Sequence, residues 1–115
     1  QIRDEVRAAF PKTGIELVVK ESYLNMGPKL DEDPRVVRIA MDACRAIGIE
    51  PFLDVIRGGT DGARLSYQGI LTPNVFTGGF NYHSVREWAS LQDMEKATQV
   101  VMKIAELWVA EAKAT

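Results

Sequence analysis

The chain is poor in the residues that build redox and metal centres. It has one cysteine, Cys44, and one histidine, His83, in 115 residues. A single Cys excludes an internal disulfide and fits a reducing compartment. One His and one Cys also exclude a His-rich metal site built by this chain alone, because zinc usually takes three or four His, Cys or carboxylate ligands. No basic run is present, and the formal net charge is −2 with pI ≈ 5.4. That balance argues against nucleic acid or anionic membrane as a partner. No apolar stretch approaches about 20 residues, the length that spans a bilayer, and no signal-peptide pattern is visible. Internal repeats and low-complexity segments are absent too.

At this length the chain is one domain or slightly less. It is long enough to bury roughly 65% of its unfolded surface. Gln1 to Phe10 reads as helix from the first residue, with Ile2, Val6, Ala9 and Phe10 on one face. A helix with no cap residue before it suggests a chain cut from something larger. Pro11 stops that helix and Thr13-Gly14 turns the chain. Ile15 to Tyr23 alternates and is β-branched, which predicts a strand. Asn25 to Glu32, with Gly27 and Pro28, reads as a polar hinge.

Asp33-Pro34 is a helix start, an Asp cap followed by Pro. Val37, Ala40, Met41, Cys44 and Ile47 then form an apolar stripe that Gly48 closes. Phe52 to Ile56 reads as a short buried strand, Thr60 to Gln68 as a capped helix, and Asn74 to Phe76 as the next strand. Strand, helix, strand is a βαβ unit, which favours a parallel, right-handed arrangement. Thr77 to Ala89 reads as loop. Ser90 to Asp93 opens a long last helix with Met94, Ala97, Val101, Ile104, Leu107, Trp108 and Ala112 on its apolar face. The fold class is α/β, with a small detached piece before residue 28.

Chemistry concentrates between Arg57 and His83. Arg57-Gly58-Gly59-Thr60-Asp61-Gly62 leaves a predicted strand and enters a predicted helix. Ligands of open α/β sheets bind at that place, glycines let backbone N–H groups approach an anion, and an Arg fork pairs with a carboxylate. By spacing alone an ordinary βα turn, with Asp61 or Thr60 as cap, explains the same residues more simply. No Gly-Lys-Ser/Thr follows, so it is not a phosphate loop, and the third glycine is misplaced for a dinucleotide fingerprint. His83 alone is more often a surface histidine than a ligand. If it binds metal, most of its partner ligands lie outside this chain. Cys44, on an apolar helix face, reads as structural. Asp31-Glu32-Asp33 reads as a solvated hinge plus a cap, and Trp88 and Trp108 as core or interface anchors.

The pattern RGGTDGARLS, then a glycine, then P-N-V-F-T-G-G and N-Y-H, resembles the C-terminal signature of the peptidase T family of metallo-aminotripeptidases. The match is strongest from Ile56 to Phe80 and again at Met94-Glu95-Lys96-Ala97. Tyr23-Leu24-Asn25-Met26 and Ile49-Glu50-Pro51 are similar but less diagnostic. The resemblance implies a cytoplasmic enzyme that removes the N-terminal residue of tripeptides by metal-assisted hydrolysis. It implies two zinc ions, a catalytic α/β domain and an inserted lid that makes a homodimer. Residues 1–27 would be the end of the lid or dimerisation domain. Residues 28–115 would be the C-terminal part of the catalytic domain, a βαβ unit plus the long terminal helix.

The resemblance also assigns roles. His83 matches a zinc ligand, and Arg57 matches the arginine that faces the substrate carboxylate. Gly58, Gly59, Thr60 and Asp61 match the rest of the substrate-binding loop. The general base and the other zinc ligands belong to a half not present in this sequence, so the chain alone is expected to be inactive. One departure stands out. Where the family continues Gly-Lys-His-Glu-Phe after the ligand histidine, this chain has Ser84-Val85-Arg86-Glu87-Trp88. Arg86 in place of the second histidine bears on metal support and substrate preference. The competing reading is a non-catalytic α/β module that binds a small anion or serves in assembly.

Overall fold

Among the described residues the chain forms five helices and one two-stranded sheet. A computed structural model describes residues 1–20, 22–56 and 58–114. The order is α1 (Ile2–Ala9), α2 (Gly27–Leu30), α3 (Arg35–Ala46), α4 (Asp61–Tyr67), β1 (Gly79–Phe80), β2 (Trp88–Ala89) and α5 (Leu91–Ala114). β1 and β2 are antiparallel, with Gly79 opposite Ala89 and Phe80 opposite Trp88.

The core is the seam between α3 and α5. Ile39, Ala43, Cys44, Ala97 and Val100 are buried there. Ala43, Cys44 and Val100 form one cluster, with Ile47, Ile49, Ile104 and Leu107 packed around it. The buried and partly buried positions that α5 brings to the seam run 97, 100, 104 and 107, alternating steps of three and four as a helix-helix seam requires. The expected face of α5 is therefore corrected at three positions, because Met94, Val101 and Ala112 are exposed. Val101 is exposed and Val100, its neighbour, is fully buried. From Ala97 both a step of three and a step of four reach a valine, so periodicity could not separate them. On α3 the stripe is likewise rotated, and Ile39 and Ala43 join Cys44 as its most buried residues.

The ends of these helices follow from local chemistry. Asp33 accepts from the Arg35 backbone N–H at 3.1 Å and from the Arg35 guanidinium at 2.6 Å. The helix itself begins at Arg35, with Pro34 half inside it. At the other end Gly48 takes φ 79°, and the amides of Gly48 and Ile49 return to the carbonyls of Arg45 and Cys44, both at 3.0 Å. This double closure is the Schellman arrangement, and its left-handed position is open to glycine without a Cβ penalty. Ser90 caps α5 by accepting from the Asp93 amide at 3.2 Å. An ion pair, Arg38 to Glu111 at 2.7 Å, ties α3 to the far end of α5.

The three strands read from sequence are not formed among the described residues. The segment around 15–23 (Glu21 lies outside the described residues) and the segments 52–56 and 74–76 pair with nothing. A strand exists only when a neighbour completes its hydrogen bonds. Here neither the β-branched run at Ile15 nor the run at Phe52 has one. Leu17, Val18, Val19, Phe52, Leu53 and Val55 are accordingly exposed. The βαβ unit is thus reduced to its helix, α4, and the sheet that does form lies in the segment read as loop. Two-residue strands carry no alternation for a sequence to display. The hinge at 25–32 is also more ordered than its composition suggests. It contains α2, and the Tyr67 hydroxyl of α4 donates to the Asn25 carbonyl at 3.0 Å.

The molecule is drawn out. Its radius of gyration is 19.9 Å and its extents are 66 × 37 × 19 Å, against about 13 Å for a compact domain of this length.

Candidate functional site

The loop before α4 is held by its own polar residues. Thr60 is the N-cap of α4, and its Oγ1 accepts from the Ala63 amide at 3.2 Å. The same oxygen accepts from the Asn74 side chain at 3.2 Å, which joins the loop to the segment after α4. The Ser66 hydroxyl, buried, accepts from the Thr72 amide at 3.0 Å. Gly62 faces this segment so closely that a Cβ would lie 2.6 Å from the Thr72 carbonyl oxygen. A Cβ on Gly59 would lie 2.2 Å from Cδ1 of Tyr23. The Tyr23 ring therefore lies against Gly59, which is needed for this close approach, while Gly58 supplies the positive φ of the turn.

Gly58 is exposed with φ 136°, Gly59 and Asp61 are exposed, and Thr60 is half-buried. Asp61 is the first residue of α4 and does not cap it, so the cap belongs to Thr60. Arg57, expected to face the substrate carboxylate, lies outside the described residues.

His83 sits at the tip of the β1–β2 hairpin. Its backbone is left-handed, φ 64°, and so is that of Asn81, φ 56°. Two non-glycine residues with positive φ within three positions are uncommon, and they persist only where neighbours over-determine them. The neighbours here are visible. The carboxylate of Glu87 accepts from the His83 amide at 3.0 Å. The Asn81 side chain donates to the Arg86 carbonyl at 3.4 Å. The Glu87 amide returns to the Ser84 carbonyl, and the Ser84 hydroxyl accepts from the Arg86 amide, each at 3.1 Å. At the base, Phe80 and Trp88 stack with centroids 4.3 Å apart and planes 15° from parallel. Such a cross-strand aromatic pair adds stability beyond its buried area. The hydroxyls of Thr77 and Tyr82 lie 2.5 Å apart on one flank.

The imidazole of His83 is exposed and makes no hydrogen bond or ion pair with any described residue. It is open to a metal ion. Among the described residues, however, no three His, Cys, Asp or Glu side chains gather into a metal site. The described residues therefore do not assemble a metal centre by themselves. No hydrogen bond or ion pair joins the His83 hairpin to the Gly58–Asp61 loop among the described residues. Cys44 is buried between α3 and α5, and burial pushes its thiol pKa up. That makes it an inert core residue. Trp88 is half exposed and stacks on Phe80 instead of anchoring the core.

Sequence reasoning missed Glu87 and Asn74, which fix the two loops. Neither stands in a spacing that marks a partner. Their role follows from turns that bring positions 83 and 87, and 60 and 74, together.

The model of Peptidase family M20/M25/M40 matches residues 12–107, and the chain belongs to that family. Within it, the chain is similar to the peptidase T of Escherichia fergusonii, with 54% identity over 101 residues that cover 88% of this chain and 25% of the relative. The same figures hold for peptidase T of Escherichia coli strain SE11 and of Shigella boydii serotype 18. The chain therefore spans about a quarter of the length of the curated relatives it matches. No helix among the described residues is long and apolar enough to cross a membrane.

Proposed function

We propose that this chain is the C-terminal segment of a two-zinc aminotripeptidase, similar to peptidase T, that releases the N-terminal residue of tripeptides. The observation that carries the reading is the His83 imidazole. It is exposed, without a hydrogen-bond partner among the described residues, on a turn held in a strained backbone conformation. In this reading residues 1–27 end the lid or dimerisation domain, and residues 28–115 complete the catalytic domain of a cytoplasmic homodimer.

When bound, zinc supplies Lewis acidity for polarising the scissile carbonyl and activating water. His83 contributes one neutral ligand, which holds the ion without cancelling its charge. Arg57 pairs bidentately with the far carboxylate of the peptide. The distance from that pair to the metal centre then selects substrate length, because a substrate held at both ends meets the reacting group in a fixed geometry. Gly58, Gly59, Thr60 and Asp61 line the same pocket. The Thr60–Asn74 hydrogen bond keeps that loop in one conformation.

The test uses the full-length protein that carries this segment. Arg57→Ala is expected to raise KM for tripeptides far more than for their C-terminally amidated analogues. Equal losses on both substrates would remove Arg57 from the anchoring role.

A further inference from the structure

The His83 hairpin contains a carboxylate that the proposed chemistry does not use. We propose that Glu87 is a positioning residue for His83: its carboxylate holds the His83 backbone in the left-handed conformation and so sets the direction in which the imidazole leaves the loop. The inference rests on the reading of His83 as a metal ligand, but its structural half stands on geometry alone.

A left-handed φ is disfavoured for a side chain with a Cβ, and without a restraint the residue relaxes to another basin. The direction of the Cα–Cβ bond changes with it. At His83 the restraint is one hydrogen bond from its amide to Glu87 Oε2, 3.0 Å long. It is charge-assisted, the stronger class of hydrogen bond. Its position four residues along the chain lets one side chain close the turn from 83 to 87. The turn is fixed from the other side by the Ser84 contacts with Arg86 and Glu87 and by the Phe80–Trp88 stack. Those contacts fix residues 84 to 88 but do not reach His83. Glu87 is thus the only side chain among the described residues that bonds to the His83 backbone. Its role differs from the usual support of a metal-binding imidazole, which acts through the second ring nitrogen.

Two measurements test the proposal. The first is amide hydrogen exchange by NMR on the 115-residue chain, which needs no metal. Glu87→Ala is expected to speed exchange of the His83 amide roughly tenfold, the factor that loss of one such hydrogen bond implies. Exchange in the α3–α5 seam should be unchanged. Glu87→Gln keeps an acceptor oxygen and should retain most of the protection. The second is cobalt binding to the full-length protein, read from the visible absorption of the bound ion. Glu87→Ala should weaken it roughly 10–100-fold, as loss of ligand orientation does, with Glu87→Gln close to the parent.

An unchanged His83 amide in Glu87→Ala overturns the proposal. So does unchanged cobalt affinity and spectrum in a variant whose His83 amide has been released. His83→Ala is the separate control. If it leaves cobalt binding intact, the metal-ligand reading fails, and amide exchange alone then decides whether Glu87 holds the His83 backbone.

Discussion

At the scale of single residues, short polar side chains decide where the backbone turns. Thr60, Asn74, Ser66, Ser90 and Glu87 each satisfy an amide that a loop would otherwise leave open, or brace the group that does. Asp33 is the clearest electrostatic case. The Arg35 guanidinium, and then the Arg35 amide, hold its carboxyl at about 2, well below the usual carboxylate range. A lowered folded-state pKa means that the contribution to stability is complete above the ordinary carboxylate value and is lost as pH falls through about 2. The Asp33 carboxyl carbon is therefore expected to titrate in NMR with a midpoint near 2. Arg35→Ala removes the guanidinium but keeps the backbone amide, so it should raise the midpoint most of the way toward about 3.9, and protection at the start of α3 should fall over the same acid window. An ordinary midpoint in the unmodified chain would contradict the pairing. Thr60 and Ser90 could be read as caps from sequence, because a cap acts within three residues of itself. The partnership of Glu87 with His83 could not, because it depends on two left-handed residues that no spacing announces.

At the scale of elements, the helices other than α2, which lies where the composition reads as a hinge, were legible and the strands were not. A helix satisfies its own backbone, so α1, α3, α4 and α5 lie within a few residues of where their periodicity, Pro11, Thr60, Gly48 and Ser90 put them. A strand depends on a neighbour, and the runs at Ile15, Phe52 and Asn74 have none among the described residues. The seam of α3 with α5 gives the sharpest test at this scale, because two adjacent valines differ completely in burial. Val100 is 0% exposed and Val101 is 56% exposed. Val100→Ala removes two methyl groups and leaves a cavity, so it should cost about 2 kcal/mol in denaturant unfolding. Val101→Ala should stay within about 0.5 kcal/mol. Equal effects would mean that the seam is set by the other periodicity. The same ambiguity is why the sequence named Val101: α5 carries apolar residues on more than one face, and only packing against α3 shows which face is covered.

At the scale of the whole molecule, the drawn-out shape and the uncovered runs belong together. α1 buries none of its residues, and the unpaired segments leave Leu17, Val19, Phe52 and Val55 in solvent. One open histidine and a glycine loop do not make a catalytic centre, so the 115-residue chain is expected to hydrolyse no tripeptide in any metal buffer. Metal-dependent release of an N-terminal residue by the purified chain, free of host peptidase, would overturn that expectation. The family was legible in the run from Arg57 to His83 because functional loops are written in residue identity, whereas the sheet is written in partners. The most direct measurement is the zinc content and tripeptide hydrolysis of the full-length protein, compared between the native form and His83→Ala. Loss of bound zinc together with loss of hydrolysis is the predicted result. A His83→Ala protein that keeps its zinc and its tripeptidase activity would contradict the central claim.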